Sequence, residues 1–265
     1  MGFEVAGKTV LVTGASSGIG AKLAEGFAAA GATVGICARR TERLADVLAR
    51  CRDHAPESCS WTVDLSDPGA VERLAADALE ELGGLDVLVN NAGMPMRRHV
   101  TRLDSATVEQ VMALNLLSPV RLTLALLPHL LSRPDARIVN VSSVAAPLSS
   151  PGEAAYDASK AALSAFSEAM AADLWETAVK VLVVYPGLVA TELVDAPGND
   201  PIVGGVDAID TDEVVTAVLE ALGTDTVQCY VPSWFADIAA GKAANVDGFL
   251  AGAAEFVREH QPSAD

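Results

Sequence analysis

The 265-residue sequence predicts a single α/β domain: a doubly wound, seven-stranded parallel sheet flanked by helices. Short β-branched segments alternate along the chain with alanine-rich segments of helical periodicity, and this order favours right-handed crossovers between parallel strands. Hydrophobic residues make up 51% of the sequence, which suffices for a core of this size. In such a sheet the ligand site is expected at the carboxyl ends of the strands.

The strands are predicted from short runs suited to burial on both faces of a sheet. They cover Thr9–Thr13, Thr33–Cys37, Ser60–Val63, Asp86–Val89, Arg137–Val141, Lys180–Val184 and Val227–Val231. Helices are predicted between them at Ile19–Ala30, Glu42–Cys51, Ala70–Leu82, Ser105–Leu131, Ala155–Trp175 and Asp212–Leu222.

No linker, repeat or low-complexity tract divides residues 1–265, so one domain is expected. The segment 192–210 is rich in Gly, Pro and Asp and lies where a substrate loop is expected, although a plain surface loop would have the same composition. Residues 233–260 are predicted as a weakly amphipathic, helical C-terminal extension.

Composition narrows the choice of partners. The 35 acidic and 18 basic residues give a formal charge of −17, which disfavours binding to nucleic acid or an anionic membrane. The apolar stretch from Leu114 to Leu131 is interrupted by polar residues and a proline, and is expected to fall short of a membrane span. The amino terminus lacks a signal-peptide pattern, so a cytoplasmic protein is expected. Neither zinc nor disulfides are indicated by the spacing of the cysteines, Cys37, Cys51, Cys59 and Cys229.

A glycine-rich turn, TGASSGIG, directly follows the first predicted strand and opens the first helix. Its glycines, Gly14, Gly18 and Gly20, would permit a tight turn and close approach of the backbone to a pyrophosphate. The helix amino terminus would supply free N–H groups to that anion. The turn therefore predicts dinucleotide binding in a Rossmann-type domain, with a purely structural turn as the alternative.

Two adjacent arginines, Arg39 and Arg40, follow the second predicted strand. An acidic residue at this point would bind the ribose 2′-hydroxyl of NAD, whereas an arginine accommodates the 2′-phosphate of NADP. The pair therefore favours NADP(H) over NAD(H). The alternative is that the two arginines only begin a solvent-exposed helix and bind no cofactor.

Tyr156 and Lys160 lie four residues apart, on one face of a predicted helix. A free phenol has a pKa near ~10 and exchanges protons poorly at neutral pH. A cation about 4 Å away at an effective dielectric of ~20 contributes roughly the 4 kcal/mol needed to bring that pKa near ~7. We therefore expect Lys160 to lower the pKa of Tyr156. By itself this spacing is common on solvated helices.

Further motifs occur in a fixed order around these features. They are Asp64-Leu65 after the third strand, Asn90-Asn91-Ala92-Gly93 after the fourth, Asn115 in ALNLLSP, Ser143 in IVNVSSVAA, and Pro186-Gly187-Leu188-Val189-Ala190-Thr191. With TGASSGIG and YxxxK, they make nearly the whole chain resemble the short-chain dehydrogenase/reductase family.

That resemblance implies hydride transfer between a nicotinamide cofactor and a carbonyl or alcohol. The implied catalytic residues are Asn115, Ser143, Tyr156 and Lys160, with Ser142 as the alternative serine. The implied cofactor-binding residues are Gly14, Ser16, Ser17, Gly18, Ile19, Gly20, Arg39, Arg40, Asp64, Leu65, Asn91, Ala92, Gly93, Tyr156, Lys160, Pro186, Gly187, Val189 and Thr191.

The variable segments favour an apolar substrate, because Met94-Pro95-Met96, Val144–Ser150 and Leu188 are mostly apolar. Tyr230-Val231-Pro232-Ser233-Trp234 occupies the place of the VDGG-like element of the family's fatty-acid-synthesis reductases. This difference makes the chain more similar to hydroxysteroid dehydrogenases and general carbonyl reductases, with a 3-oxoacyl-thioester reductase as the alternative. A non-catalytic dinucleotide sensor and a methyltransferase on a similar sheet are alternatives from other classes.

Small residues on the helix Ala155–Trp175 permit close helix approach. The family resemblance implies that this helix pairs across a two-fold axis in a homodimer or homotetramer. The alternative is packing of the helix on its own sheet.

Overall fold

The structure, a computed structural model, describes residues 2–203 and 207–260. Within them, seven parallel strands form one sheet in the order β3-β2-β1-β4-β5-β6-β7, which confirms the predicted fold class. The strands lie within two residues of their predicted bounds. They are β1 (Thr9–Thr13), β2 (Thr33–Ala38), β3 (Cys59–Thr62), β4 (Val87–Asn90), β5 (Ala136–Val141), β6 (Val179–Pro186) and β7 (Gln228–Val231).

Helices cover both faces of the sheet. They are α1 (Gly18–Ala29), α2 (Thr41–Arg52), α3 (Pro68–Glu81), α4 (Ser105–Met112), α5 (Ser118–Leu130), α6 (Ala145–Leu148), α7 (Ala154–Asp173), α8 (Thr211–Leu222), α9 (Phe235–Ala244) and α10 (Val246–His260). The single helix predicted from 105 to 131 is instead α4 and α5 joined by a π-helical turn, Ala113–Leu117.

Alternating side chains of the strands enter two separate cores. On β1, Val10 and Val12 pack with α1, α2 and α8 on one face of the sheet, whereas Leu11 packs with α3, α5 and α7 on the other. These side chains have no exposure to solvent. Burial on both faces explains why the strands appear in the sequence as continuous β-branched and aliphatic runs.

The strand order changes direction between β1 and β4, where consecutive crossovers pass to opposite sides of the sheet. A doubly wound sheet binds its ligand in the crevice outside the carboxyl ends of the strands at this point. The glycine turn follows β1 and the Asn91–Gly93 segment follows β4, so both motifs lie at the crevice.

The helical run Ser105–Leu130 is long and apolar enough to span a membrane by length and composition, and is the one such run in the described parts of the chain. We expected the polar residues and the proline between Leu114 and Leu131 to make this stretch fall short of a membrane span, and by length and composition that expectation was wrong. One side of the run packs on the sheet through Leu122, Leu126 and Leu130, which belong to the core. Core helices of folded domains meet the same criterion, so the criterion alone is weak evidence.

The C-terminal extension forms the two helices α9 and α10, neither of which contains a buried residue. Lys242 of α9 donates hydrogen bonds to the Pro147 carbonyl and the Ser149 hydroxyl, which ties the extension to α6. The predicted loop 192–210 is irregular where the structure describes it, with a parallel bridge between Val189 and Ile209. Positions 204–206 of that loop lie outside the described residues.

Candidate active site

The glycine turn has the geometry of an anion-binding cradle. Gly14 and Gly18 have φ of 68° and 56°, which side-chain-bearing residues rarely adopt. A Cβ at Gly20 would come within 2.5 Å of the Gly14 carbonyl oxygen. Ser17 precedes α1 without capping it through its side chain, so its hydroxyl does not occupy the helix amino terminus. The next residue, Ile19, packs its side chain against the core.

Asn91 and Thr13 hold the end of β4 against the glycine turn. The Asn91 amide donates to the carbonyls of Thr13 and Gly14 at 2.9 and 3.3 Å. The Thr13 hydroxyl accepts hydrogen bonds from the backbone N–H groups of Asn91 and Ala92. The two motifs predicted to bind the cofactor are therefore fixed to each other by hydrogen bonds.

The arginines after β2 point in different directions. Arg40 reaches the glycine turn, where it donates to Ser17 Oγ at 2.6 Å and to Ser16 Oγ at 3.0 Å. The charge of Arg39 acts instead on Asp64, whose carboxylate accepts two hydrogen bonds from Ser66. Those hydrogen bonds, more than Arg39, lower the pKa of Asp64. Arg40 is therefore the arginine positioned at the glycine turn.

Leu65, predicted at the adenine position, is buried in the core beneath the sheet. Its side chain has only 3% exposure, which leaves its backbone as the part available to a ligand.

Tyr156 and Lys160 occupy the first turns of α7, on the face toward the carboxyl end of β5. The Lys160 ammonium lies 5.8 Å from the centroid of the Tyr156 ring and donates to the Val141 carbonyl at 2.8 Å. It also lies next to Gly93, where an added Cβ would come within 3.5 Å of Nζ. The pair therefore faces the ends of β4 and β5, as the motif predicts.

The two candidate serines after β5 have different environments. Ser142 Oγ donates to the Lys160 carbonyl and contacts Ser164 Oγ, so its hydroxyl fixes α7 to the sheet. Ser143 instead faces the phenol of Tyr156 and accepts one hydrogen bond, from the Ala145 N–H at 3.1 Å. This geometry favours Ser143 as the serine that serves a substrate.

Asn115 lies in the π-helical turn and has 1% exposure. Its Oδ1 accepts from the Met94 N–H at 2.8 Å, and its amide donates to the Met94 carbonyl and Ser159 Oγ. Ser159 in turn donates to the Tyr156 carbonyl. Asn115 therefore links the end of β4 to the turn that carries the tyrosine. π turns often occur at functional sites, but the apolar periodicity of this segment gave no sign of one.

The expected effect of Lys160 on the phenol is not the one found. Burial raises the pKa of Tyr156, and the nearby Ser143 hydroxyl opposes the rise only in part. Burial also lowers the pKa of Lys160 to about 8. A charge about 4 Å from the phenol would be needed to lower its pKa that far, whereas the ammonium is directed to the Val141 carbonyl. The phenol is therefore fully protonated at neutral pH.

A buried carboxyl group, Asp157, lies beside the tyrosine and was not selected from the sequence. Burial and the neighbouring Glu153 raise its pKa to about 8. Its side chain has 6% exposure, and Oδ1 has no hydrogen-bond partner within residues 2–203 and 207–260. A backbone hydrogen bond from Ser150 and the charge of Lys242 lower the pKa of Asp157, but by less than burial and Glu153 raise it.

Replacement of Asp157 with asparagine should increase stability at pH 8 and leave it unchanged at pH 4. The folded protein holds the Asp157 proton up to about pH 8, while the unfolded chain releases it near pH ~4, so the contribution of Asp157 to stability falls across this interval. The amide does not titrate, and the gain should reach about 5 kcal/mol at ~1.36 kcal/mol per pKa unit. Urea unfolding at several pH values measures it. Asp173→Asn, at the exposed end of α7, is the control; a constant difference between Asp157→Asn and wild type would contradict the prediction.

The segment from Pro186 to Thr191 lies between Phe235 of α9 and the glycine turn. The Pro186 carbonyl accepts from the Val144 N–H, and Gly187 packs against Phe235 of α9. Val189 is buried. A Cβ at Gly18 would come within 3.0 Å of the Thr191 side chain, so this segment lies against the glycine turn.

The loop that begins at Glu192 is attached to Arg97, which belongs to none of the motifs named above. Asn199 Oδ1 accepts from the Arg97 N–H at 2.6 Å, and the Asp200 N–H donates to the Arg97 carbonyl at 2.7 Å. The guanidinium of Arg97 donates to the Asp200 carbonyl at 3.0 Å. The basic pair Arg97-Arg98 was the available signal in the sequence, but its loop partner is a hundred residues away.

An apolar cluster adjoins the tyrosine on the substrate side. Met96, Val111 and Ala155 are buried there, and Met94 and Tyr156 pack against them. Methionine side chains adapt to irregular apolar shapes. Among the residues that the structure describes, no group of three His, Cys, Asp or Glu side chains could hold a metal ion.

The site is thus a tyrosine–lysine–serine group at the crevice of a doubly wound sheet with a glycine turn. A family model described as short chain dehydrogenase matches residues 8–201. The chain therefore belongs to the short-chain dehydrogenase family, as the motifs predict.

Curated relatives include the fatty acyl-CoA reductase of Acinetobacter baylyi, 38% identical over 72% of this chain and 65% of its own length. Dehydrogenase/reductase SDR family member 7B of Rattus norvegicus is 37% identical over 69% of this chain and 58% of its own length. The match thus spans about three fifths of these relatives.

Among solved structures, a short-chain dehydrogenase from Streptomyces avermitilis is 32% identical, with a TM-score of 0.81 over 97% of this chain and 99% of its own. A short-chain dehydrogenase/reductase from Burkholderia phymatum, in complex with NAD, has a TM-score of 0.84 over 92% of this chain and 96% of its own at 24% identity, a likeness of fold.

Proposed function

We propose that this protein is an NADP(H)-dependent oxidoreductase that interconverts a carbonyl compound and its alcohol, with Tyr156 as the general acid and base. The observation that carries the proposal is the convergence of three side chains at the ends of β4 and β5: Tyr156 faces Ser143, and Lys160 lies between the Val141 carbonyl and Gly93. The glycine turn lies at the same edge of the sheet, so a cofactor held there would reach the three side chains.

The residues of the crevice fit a dinucleotide. The space next to Gly14 and Gly20 leaves no room for side chains, and the uncapped start of α1 presents N–H groups to a pyrophosphate. The Burkholderia phymatum protein of the same fold is in complex with NAD, which agrees with this fit.

When bound, the cofactor supplies the hydride that adds to the carbonyl carbon. Negative charge then develops on the carbonyl oxygen, and a positioned acid must neutralise it. The Tyr156 phenol is protonated at neutral pH and donates its proton to that oxygen. The Ser143 hydroxyl has its proton free to donate a hydrogen bond to the same oxygen.

Lys160 would bind the ribose next to the nicotinamide. Its ammonium is buried, fixed by the Val141 carbonyl and next to Gly93, at the end of β4. Asn115 acts as a positioning residue through Met94 and Ser159. In the alcohol-oxidising direction the same groups accept the proton.

Arg40 carries the proposed preference for NADP(H). Its guanidinium lies at the glycine turn, and a guanidinium binds a phosphate through two parallel hydrogen bonds. We expect kcat/KM for NADPH to exceed that for NADH at least ~10-fold, because a hydrogen bond to a charged group contributes about 1.5–3 kcal/mol. Steady-state kinetics with each cofactor measures this ratio.

Arg40→Ser should reduce kcat/KM for NADPH by about 10- to 100-fold and change that for NADH little. Arg73→Ser removes the same charge from the exposed surface of α3 and serves as the control. Equal use of the two cofactors by the unmodified protein would overturn the assignment.

The apolar cluster beside Tyr156 supports an apolar substrate. A second candidate is reduction of a long-chain acyl thioester, supported by the 38% identity to a fatty acyl-CoA reductase. A panel of ketones and aldehydes of graded chain length, with acyl-CoA thioesters beside them, separates the two. Activity with none of these would favour the non-catalytic sensor.

The assembly and cellular location stay predictions. On α7, Ala158, Ala165 and Ala169 are exposed, whereas Leu163 and Met170 are buried. The exposed alanines are consistent with the proposed homodimer or homotetramer, which sedimentation would test. The charge of −17 supports the proposal that neither nucleic acid nor an anionic membrane is a partner, and a cytoplasmic location stays a prediction.

A further inference from the structure

The acidic residue Glu192 bridges the two sides of the cofactor crevice. It directly follows Thr191, which lies against Gly18 of the glycine turn. Its Oε2 accepts from Arg40 Nη1 at 2.8 Å, and its Oε1 accepts from Arg43 Nη1. One carboxylate thus joins the loop after β6 to the start of α2, across the opening of the crevice.

Arg40 makes this contact with the group that would hold a 2′-phosphate. One edge of its guanidinium donates to Ser16 and Ser17, and Nη1 donates to Glu192. A carboxylate and a phosphate oxygen use the same donors with the same geometry. Glu192 therefore occupies the position on Arg40 that an anionic group of the cofactor would need.

The bridge is weak enough to exchange. The side chains of Arg40, Arg43 and Glu192 are 45%, 49% and 54% exposed, and exposed ion pairs contribute little because water screens them. A phosphate carries about −1.5 to −2 charges at pH 7 and three acceptor oxygens, so it competes well with a single carboxylate. A ribose 2′-hydroxyl has no charge and would leave the bridge in place.

We propose that Glu192 is a specificity-determining residue that competes with the 2′-phosphate of NADP(H) for Arg40 and Arg43. With a 2′-phosphate bound, the carboxylate leaves the arginines; with an unphosphorylated ribose, it remains on them. This competition lowers the affinity for NADP(H) and so reduces the preference for NADP(H) over NAD(H) that Arg40 creates. It also couples binding of the 2′-phosphate to the position of the loop after Thr191. The inference rests on the proposed NADP(H) function.

The test is equilibrium binding of two adenine nucleotides, adenosine 2′,5′-bisphosphate and 5′-AMP, to the unmodified protein and to Glu192→Gln. The amide keeps the size of the side chain but loses the charge. We expect Kd for the bisphosphate to fall about three- to fivefold in the variant, and Kd for 5′-AMP to change less than about twofold. In an Arg40→Ser background the effect of Glu192→Gln should shrink.

Asp195→Asn is the matched control, because it removes one negative charge from an exposed position of the same loop. An equal gain in both variants would assign the effect to general electrostatics and overturn the role of Glu192. An unchanged Kd for the bisphosphate in Glu192→Gln would overturn it as well. If the unmodified protein binds both nucleotides equally, the NADP(H) preference itself fails and the inference fails with it.

Discussion

Replacement of Tyr156 with phenylalanine is expected to reduce kcat by about 10²- to 10⁴-fold and leave Kd for NADPH within about twofold. The substitution removes one hydroxyl and keeps the ring that packs against Met94 and Met96. In the proposed reaction the phenol that faces Ser143 is the proton source, and the burial that raises its pKa keeps it protonated up to alkaline pH.

Single-turnover kinetics and cofactor fluorescence measure the two quantities separately. Tyr185→Phe is the control, because that hydroxyl donates to Glu168 in a different part of the sheet and plays no part in the proposed reaction. A Tyr156→Phe protein that keeps its kcat would show that the proton comes from another group.

Replacement of Lys160 with methionine should reduce kcat by about 10²-fold or more and, at pH 7, increase the free energy of unfolding. Burial lowers the pKa of Lys160 to about 8, so at pH 7 the ammonium is charged in both the folded and the unfolded protein. The charge costs free energy only in the folded protein, where it is shielded from water. Methionine fills the same space without that charge. The net gain should be about 1–2 kcal/mol, since the Val141 carbonyl loses its donor.

The contribution of Lys160 to the pH dependence of stability has a definite sign. Between about pH 8 and pH 10.5 the unfolded chain binds the Lys160 proton and the folded protein does not, so this contribution makes stability rise with pH. In urea unfolding across this range, the stability gain of Lys160→Met over the wild type should therefore shrink as pH rises. Lys180→Met, which removes an ammonium that bonds the Trp175 carbonyl near the surface, should change neither kcat nor this slope. If Lys160→Met is less stable than the wild type at pH 7, the buried charge of Lys160 does not destabilise the folded protein and the prediction is wrong.

The seven strands of the described residues could be predicted from the sequence, because burial on both faces of the sheet requires continuous β-branched and aliphatic runs. A β-branched run such as Thr9–Thr13 has few alternatives to a central strand. The shared helix face of Tyr156 and Lys160 followed for a similar reason, since YxxxK on a helix fixes which face carries both groups.

The electrostatics of the site could not be predicted in the same way. Whether Lys160 lowers the pKa of Tyr156 depends on where the ammonium points and how far water is excluded, and both depend on tertiary packing. Likewise, the contact of Glu192 with Arg40 joins residues far apart in the chain. The π turn at Asn115 depends on contacts with Met94 and Ser159, which local periodicity does not record.

The contrast between α7 and the loop after β6 bears on how this protein can change over evolution. Ser142 holds α7 to β5 by a buried hydroxyl bond, and Asn140 does the same through Ser167. The loop is held by an exposed carboxylate at Glu192 and by bonds to Arg97. Substitutions in the loop can therefore accumulate without disturbing α7, which keeps Tyr156 and Lys160 in register on a rigid support.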